Sequence, residues 1–173
     1  WESLGIFTHF DDAVGGISGF VETGYLVVVK EEDSVGLDRN VAMLYQLGID
    51  TMRVTAADLR DIAPMVSVSE NEFMAWEPQS GYADTYMVTT SYGNRAKDMG
   101  AEIMLRNPAT EIEVLGGRVK AVITARGRVE TPVAVVAAGP WSKMVLAQIG
   151  VDVPLVPVRH QVASLTRPVD KLP

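Results

Sequence analysis

Cysteine is absent from this sequence of 173 residues, and its absence excludes several kinds of chemistry. The chain has no disulfide framework, no thiolate metal site and no cysteine nucleophile. Histidine is scarce as well: the only two, His9 and His160, lie far apart, and their spacing does not indicate a metal site. We therefore expect neither a fold held by disulfides nor a bound metal.

Long hydrophobic runs are also missing. The longest, residues 26–29 and 133–138, are far shorter than the roughly 20 apolar residues that cross a bilayer. The chain does not open with a charged segment followed by an apolar one, as a secretory leader would. These absences predict a soluble protein of a reducing, cytoplasmic compartment that has no membrane partner.

Basic residues are outnumbered and scattered along the chain. There are 15 Lys and Arg residues against 22 Asp and Glu residues, which gives a net charge of −7. Because binding to nucleic acid needs a concentrated basic face, we expect no nucleic-acid partner. The remaining composition, 47% hydrophobic and 21% charged, is that of an ordinary globular protein of one sizeable domain or two small lobes.

The first half of the chain alternates short strands and helices. Residues 17–21 and 25–30 are predicted strands, and residues 22–24 between them suit a hairpin turn that ends on Gly24. A helix is predicted within residues 31–48, with Gly48 at its C-terminal end. Thr55 is predicted to cap a short helix, with Asp58 completing a capping box, and residues 72–77 are predicted to form a strand.

The second half of the chain has a more regular pattern. Asp84 is predicted to cap a helix over residues 85–99, and a strand is predicted at 102–105. Residues 111–115, 118–125 and 128–131 indicate a three-strand meander, because the Gly-Gly and Arg-Gly pairs between them suit tight turns. A buried strand at 133–138 leads into a helix at 141–150, and a last strand is predicted at 156–165.

The junction after the buried strand, AVVAAGPWS, is the best candidate for a binding site. Small residues at Ala137, Ala138 and Gly139 let a ligand or a second backbone approach closely. Pro140 suits the first turn of a helix, where free N–H groups favour an anion. Spacing alone leaves two interpretations open: a nucleotide-binding turn, or a turn that only packs a helix against a sheet. The GxGxxG fingerprint that usually accompanies a nucleotide site is missing from the sequence.

Six segments occur in a distinctive order along nearly all of the chain. They are FVETGYLVV, QLGID, AADLRDIAPMV, SGYADTYMVTTSYGNRAKDMGAEI, GGRVKAVITARGRVETPVAVVAAGPWS and GVDVPLVPVRHQV. Together they resemble the flavin-dependent amine oxidoreductases of the D-amino-acid-oxidase superfamily, which includes the sarcosine oxidase β-subunit, dimethylglycine dehydrogenase and glycine oxidase.

The resemblance implies a mixed α/β fold built from two partial domains. A part of an antiparallel, β-rich substrate domain would occupy residues 1–80. An incomplete FAD-binding domain, made of a helix, the three-strand meander and a late parallel strand, would occupy residues 81–155. A strand returning to the substrate domain would occupy residues 156–173.

The sequence also departs from the family pattern. Members of the family begin with a Rossmann unit whose GxGxxG holds the FAD pyrophosphate, and they end with a second glycine-rich segment. Neither segment is in this sequence, and its first residue is Trp1 rather than Met, so we expect the central part of such an enzyme. Thr85 stands where the family usually has Pro, and Ala109 stands where the adenine-contacting residue is commonly Val. Because that contact uses backbone groups, Ala109 could still make it.

The resemblance assigns two groups of site residues. The first group would lie against the adenosine and diphosphate part of FAD, and it consists of Ala109, Ala137, Ala138, Gly139 and Trp141. The second group would lie near the flavin ring, and it consists of Arg159, His160 and Gln161. Two alternatives stay open: Trp141 as a core aromatic at a helix start, and the Arg159–His160 pair as a solvated strand edge.

The function that the resemblance implies is FAD-dependent oxidation of a small secondary or tertiary amine or amino acid, such as sarcosine. A dehydrogenase of a hydroxy compound, such as glycerol 3-phosphate or a 2-hydroxy acid, is the alternative on the same fold. A non-catalytic binding or assembly module is the alternative of another class. We expect a small amine as the substrate partner and a homo- or hetero-oligomer as the assembly. Without the GxGxxG segment, the isolated chain is expected to bind FAD weakly and to be inactive.

Overall fold

The computed structural model describes residues 2–159 and 161, and these residues form two compact units. The first unit extends to Ile103, and the second begins at Met104. The assignment of residues 81–155 to one FAD-binding domain stays a prediction.

The first unit contains five helices and five short strands among the described residues. In chain order they are α1 (Glu2–Thr8), α2 (Phe10–Val14), β1 (Val21–Glu22), β2 (Tyr25–Lys30), α3 (Ser34–Gln46), β3 (Met52–Val54), α4 (Ala56–Ile62), β4 (Glu72–Glu77), β5 (Gly81–Tyr82) and α5 (Thr85–Asp98). A single 3-10 turn, Glu31–Asp33, precedes α3.

A three-stranded antiparallel sheet in the order β2–β4–β3 carries the core of the first unit. Met74 of the central strand lies opposite both Val28 and Val54 and is 2% exposed. Leu59 of α4 packs on this cluster and is 1% exposed, with Trp76 and other partly buried side chains around it. The predicted strand at residues 72–77 is confirmed. It is the central strand of the sheet and pairs with β2 on one side and β3 on the other.

The predicted hairpin between residues 17–21 and 25–30 is wrong. Strand β1 pairs with β5, Val21 opposite Tyr82, whereas β2 pairs along its whole length with β4. The backbone N–H groups of Thr23 and Gly24 both donate to the carbonyl oxygen of Ser80, at 3.2 and 2.7 Å. The turn therefore bonds to a distant segment, and the longer pairing with β4 covers Met74, which a local hairpin would not do.

The predicted helix caps are confirmed. The Thr55 hydroxyl accepts from the Asp58 backbone N–H at 3.2 Å, and the Asp58 carboxylate accepts from the Thr55 N–H at 2.8 Å. Asp84 caps α5 through its carboxylate, which accepts from the Met87 N–H at 2.8 Å. Gly48 follows α3 with a φ of +76°, as a residue in the left-handed region at a helix end.

Replacing Thr55 with Ala is expected to lower the free energy of unfolding by about 1 kcal/mol, because the first turn of α4 loses its cap. Urea unfolding followed by circular dichroism measures this change. Thr89→Ala is the control, since the Thr89 hydroxyl bonds only to the carbonyl oxygen of Thr85 within the same exposed helix. An equal loss from both substitutions would contradict a specific role of the capping box.

The same capping box has a pH dependence of known sign. Hydrogen bonds from the Thr55 side chain and then from its backbone hold the pKa of the Asp58 carboxyl below its ordinary value. A lowered carboxyl pKa stabilises the fold above the ordinary pKa of about 4 and loses this contribution as the pH falls through the lowered value. The effect of Thr55→Ala should therefore shrink in acid.

The second unit contains an antiparallel meander and a short helix. The elements are β6 (Ala109–Leu115), β7 (Arg118–Thr124), β8 (Gly127–Glu130), a 3-10 turn (Gly139–Trp141) and α6 (Ser142–Ala147). The buried Ile112 and Ala121 side chains mark its core. The predicted meander is confirmed, with Gly116 and Gly117 in the left-handed region at its first turn.

Four predictions for the second half need correction. Residues 102–105 and 133–138 are not in strands, because no strand of the described residues pairs with either segment. The helix predicted at 141–150 begins at Ser142 and ends at Ala147. Residues Gly139–Trp141 before it form a tighter 3-10 turn. Residues 156–159 and 161 have no regular structure, and the rest of the strand predicted at 156–165 lies outside the described residues.

The fold class is nevertheless as expected. The structure is mixed α/β, and each of its sheets within the described residues is antiparallel. In the described part of the chain, no helix combines the length and the apolar character that crossing a membrane requires.

Candidate functional site

An apolar pocket lies in the second unit, between the meander and the segment that follows it. Its volume is about 320 Å³. We call it the alanine pocket, and its lining residues are Ala109, Ile112, Val122, residues 134–138 and Val145. The first strands of the meander supply one wall, the extended segment supplies the second, and α6 contributes Val145.

Burial alternates along the extended segment at residues 134–138. Ala134, Val136 and Ala138 are half-buried, whereas Val135 is 87% exposed. This period of two is the side-chain alternation of a β-strand, although no partner strand is present among the described residues. The buried strand predicted at 133–138 is therefore wrong in its burial as well as in its pairing, since Val133 is 69% exposed and Val135 is 87% exposed.

Gly139 ends the extended segment with a φ of +52°, in the left-handed region. A Cβ placed on it would meet nothing within 4 Å, so its requirement is for backbone conformation and not for space. The turn closes when the Trp141 N–H donates to the carbonyl oxygen of Ala138 at 3.1 Å. This turn ends the pocket wall at Ala138.

The chemistry of the alanine pocket is that of a binding wall. Its lining side chains are Ala, Val and Ile, none of which can transfer a proton or act as a nucleophile. Four of the lining residues, Ala109, Ala134, Ala137 and Ala138, have the smallest side chain after Gly, which leaves backbone groups accessible. Such a wall suits a flat, largely apolar ring and not a reaction centre.

The predicted site residues lie in different places. Ala109, Ala137 and Ala138 all line the alanine pocket. Gly139 and Trp141 follow it without lining it, and Trp141 is 65% exposed. Arg159 and Gln161 are exposed in an irregular segment, and His160 lies outside the described residues. The roles of all eight residues stay predictions.

A second and larger cavity lies wholly within the first unit, and no sequence motif predicted it. Its volume is about 750 Å³. Phe7, Phe10 and Phe20 line it together with the Asp11 and Glu22 side chains, and we call it the aromatic cavity. The available signal was compositional, since these are three of the four phenylalanines in the chain and no Lys or Arg occurs before Lys30.

Two carboxylates near the start of α5 have structural partners. Asp84 caps α5, and Glu77 accepts a hydrogen bond from the Ser80 hydroxyl at 2.8 Å. No three His, Asp or Glu side chains within residues 2–159 and 161 are arranged to hold a metal ion.

The clearest ion pairs of the second unit lie in the meander and share Arg128. The Arg128 guanidinium donates to Glu113 at 3.0 Å and to Glu130 at 2.5 Å. The hydrogen bond from Arg128 lowers the pKa of the Glu113 carboxyl, and both carboxylates raise the pKa of Arg128. The exposed Arg128–Glu113 pair ties β6 to β8 across β7, the Arg128–Glu130 pair lies within β8, and neither lines the alanine pocket.

Comparison with protein families identifies one match along the whole chain. The model of the DAO family, described as FAD dependent oxidoreductase, matches residues 1–173.

Individual relatives agree with this match. The chain is 26% identical over 156 residues to the mitochondrial sarcosine dehydrogenase of Mus musculus, and the match covers 87% of this chain and 17% of that protein. It is 28% identical over 92 residues to the D-amino acid dehydrogenase of Rhizobium rhizogenes, covering 53% of this chain and 22% of that protein. The chain thus spans about a fifth of the length of these relatives.

Among solved structures, the L-proline dehydrogenase of P. horikoshii is similar in fold. The TM-score is 0.73 at 25% sequence identity, and the match covers 87% of this chain and 40% of that structure.

Proposed function

Since this chain belongs to the FAD-dependent oxidoreductase family, we propose that it is part of an enzyme that oxidises a small secondary or tertiary amine or amino acid. The substrate class is that of sarcosine, in which a carbon to be oxidised carries an amine nitrogen. When bound, FAD supplies the acceptor for a hydride equivalent from that carbon, and the imine product hydrolyses in water.

The observation that carries this proposal is the agreement among the relatives' names. They are dehydrogenases of sarcosine, of D-amino acids and of L-proline, all of which carry an amine nitrogen on the carbon chain. None of these three names refers to a hydroxy compound. Because the chain spans only part of each relative, the activity of the whole protein is inferred and not read from the match.

The residues of the alanine pocket fit one part of FAD. A pocket of about 320 Å³ with small apolar walls suits the adenine ring, which is flat and binds through stacking and backbone hydrogen bonds. Ala109, Ala137 and Ala138 would hold this ring, and the Gly139 turn would let the adjoining phosphate pass close to the backbone. Trp141 would pack beside it. The same walls carry no charge, so they do not fit the pyrophosphate itself.

The chain's own residues would position the cofactor and would not perform the chemistry. Arg159, His160 and Gln161 would lie near the flavin ring, where a positive charge or a hydrogen-bond donor tunes its electron affinity. Amine oxidation of this kind asks the protein for orientation of the substrate over the flavin, with the amine lone pair free. A cytoplasmic location and an oligomeric enzyme belong to the same proposal.

The experiment is a comparison of substrates on the purified full-length parent protein. Under anaerobic conditions, we expect sarcosine, dimethylglycine or L-proline to bleach the visible flavin absorbance, whereas glycerol 3-phosphate and L-lactate leave it unchanged. Bleaching by a hydroxy compound alone would replace the proposal with the alternative dehydrogenase. A full-length protein without flavin would favour a binding or assembly module.

The chain of 173 residues alone is the matched control. We expect it to purify without a stoichiometric flavin spectrum and to show no turnover, because its alanine pocket offers no group for the pyrophosphate. A stoichiometric amount of flavin bound to this chain would contradict the expectation that the chain cannot hold the pyrophosphate of FAD.

A further inference from the structure

Charge is unevenly divided along the chain. Residues 104–173 contain nine Lys and Arg side chains against five Asp and Glu, whereas residues 1–103 contain six against 17. The acidic balance of the whole chain therefore comes from its first part, and the part from Met104 onward, where the second unit begins, is net positive. Because the field of a protein attracts ligands of opposite charge, an anion would be drawn to the second unit.

The loop that precedes β6 has a strained backbone. Arg106 lies in this loop with a φ of +53°, and it is the only non-glycine residue with a positive φ among those that the structure describes. The left-handed region costs free energy for a residue with a Cβ, so the surrounding contacts must hold it there. Strain of this kind is typical of segments that bind ligands.

The strained loop is joined to the turn between β7 and β8. The Asn107 side-chain oxygen accepts a hydrogen bond from the Arg126 backbone N–H at 3.0 Å. The Ala125 N–H donates to the carbonyl oxygen of Pro108 at 3.2 Å. These bonds fix Arg106 and Arg126 on adjoining segments of backbone, and we call the two residues the arginine pair.

The arginine pair is not neutralised by the protein. Arg106 and Arg126 are both exposed, and neither forms an ion pair within the part of the chain that the structure describes. Two of the three carboxylates on the meander, Glu113 and Glu130, already pair with Arg128. The arginine pair therefore offers two positive charges to a ligand.

We propose that the arginine pair binds a phosphate group. A guanidinium presents its N–H donors in a planar fork that matches two phosphate oxygens, and a second arginine balances the other charge of the dianion. Neither arginine lines the alanine pocket, so the ligand is inorganic phosphate or a small phosphomonoester and not the pyrophosphate of FAD. This proposal rests on two loops of the second unit alone, and its failure leaves the proposed function untouched.

The first test is a phosphorus NMR titration of the chain of 173 residues. Inorganic phosphate is expected to bind with a Kd on the order of 1 mM at low ionic strength, and the Kd should rise when sodium chloride is added. AMP should bind with a similar Kd, whereas adenosine, which lacks the phosphate, should not displace the ion. No binding of phosphate at about 10 mM, or its displacement by adenosine, would overturn the proposal.

The second test assigns the binding to the arginine pair. Arg106→Gln and Arg126→Gln each remove one guanidinium, and each is expected to raise the Kd for phosphate about fivefold to tenfold. Asn107→Ala keeps both arginines but removes the bond that joins their loops, and it should raise the Kd about threefold. Arg118→Gln is the matched control, because Arg118 is exposed at the start of β7 and belongs to neither loop.

Equal losses of affinity in Arg118→Gln and in both variants of the arginine pair would indicate a general attraction to a positive surface and would overturn the assignment. Ala138→Phe fills the alanine pocket and should leave the Kd for phosphate unchanged. A loss of affinity in this variant would place the phosphate in the pocket and overturn the assignment as well. Circular dichroism establishes that each variant folds. If Arg106→Gln fails to fold, Arg126→Gln and Arg118→Gln still decide the result.

Discussion

Replacing Ala138 with Phe in the full-length parent protein is expected to weaken FAD binding by about 100-fold. Ala138 is half-buried on the wall of the alanine pocket, which has a volume of only about 320 Å³. A phenyl ring would fill space that the adenine ring needs, and overpacking of this kind costs up to about 3 kcal/mol. Titration of FAD into the apoprotein, followed by flavin fluorescence, measures the loss.

The control for this prediction makes the same substitution nearby. Ala147 lies on α6 in the same unit and is exposed, so Ala147→Phe should leave FAD affinity within about twofold. Ala138→Val should give an intermediate loss, which guards against a variant that fails to fold. Equal FAD affinity of the Ala138 and Ala147 variants would show that the alanine pocket is not part of the cofactor site.

Replacing Gly24 with Ala is expected to destabilise the first unit by about 4 kcal/mol. Gly24 has a φ of +73°, and a Cβ on it would overlap the indole ring of Trp76. Trp76 packs on the core cluster of Leu59 and Met74, so the ring cannot move away without disturbing that core. The backbone strain and the overpacking add to each other. Urea unfolding of the chain measures the change in the free energy of unfolding.

Gly48→Ala separates the two causes. Gly48 lies in the same unit with a φ of +76°, but a Cβ on it would meet nothing within 4 Å. Strain alone should cost about 1–2 kcal/mol at this position. If Gly24→Ala costs no more than Gly48→Ala, the close approach of Trp76 does not constrain the turn. Trp76→Ala in the Gly24→Ala background should recover part of the loss, as expected for two residues in contact.

Features decided within a few residues were predictable from the sequence. The capping box of Thr55 and Asp58 and the cap at Asp84 depend on a side chain and an N–H group three residues away, so their chemistry is visible locally. The meander was predictable for the same reason, because the Gly116–Gly117 turn reverses the chain between segments with a strand pattern.

Features that depend on distant partners were not predictable in this way. Strand β1 pairs with β5 some sixty residues later, and no local sequence pattern predicts which residues pair. Residues 133–138 have the alternation of a strand, but a strand exists only when a neighbour accepts its hydrogen bonds. The run of Ala and Val residues predicted a strand buried on both faces, whereas the described residues supply no neighbouring strand and leave Val133 and Val135 exposed.

The same distinction between local and distant contacts applies to the two cavities. Residues Ala109, Ala137 and Ala138 were proposed from the family resemblance, and the packing of β6, β7 and the extended segment brings them into one pocket. The aromatic cavity had no sequence motif, because it joins α1, α2, the loop at residues 16–20 and Met87 of α5. The sequence by itself determined the helix caps, the turns of the meander and the membership of a family. Only the tertiary structure decided which strands pair and which side chains share a cavity, because those contacts join residues far apart in the chain.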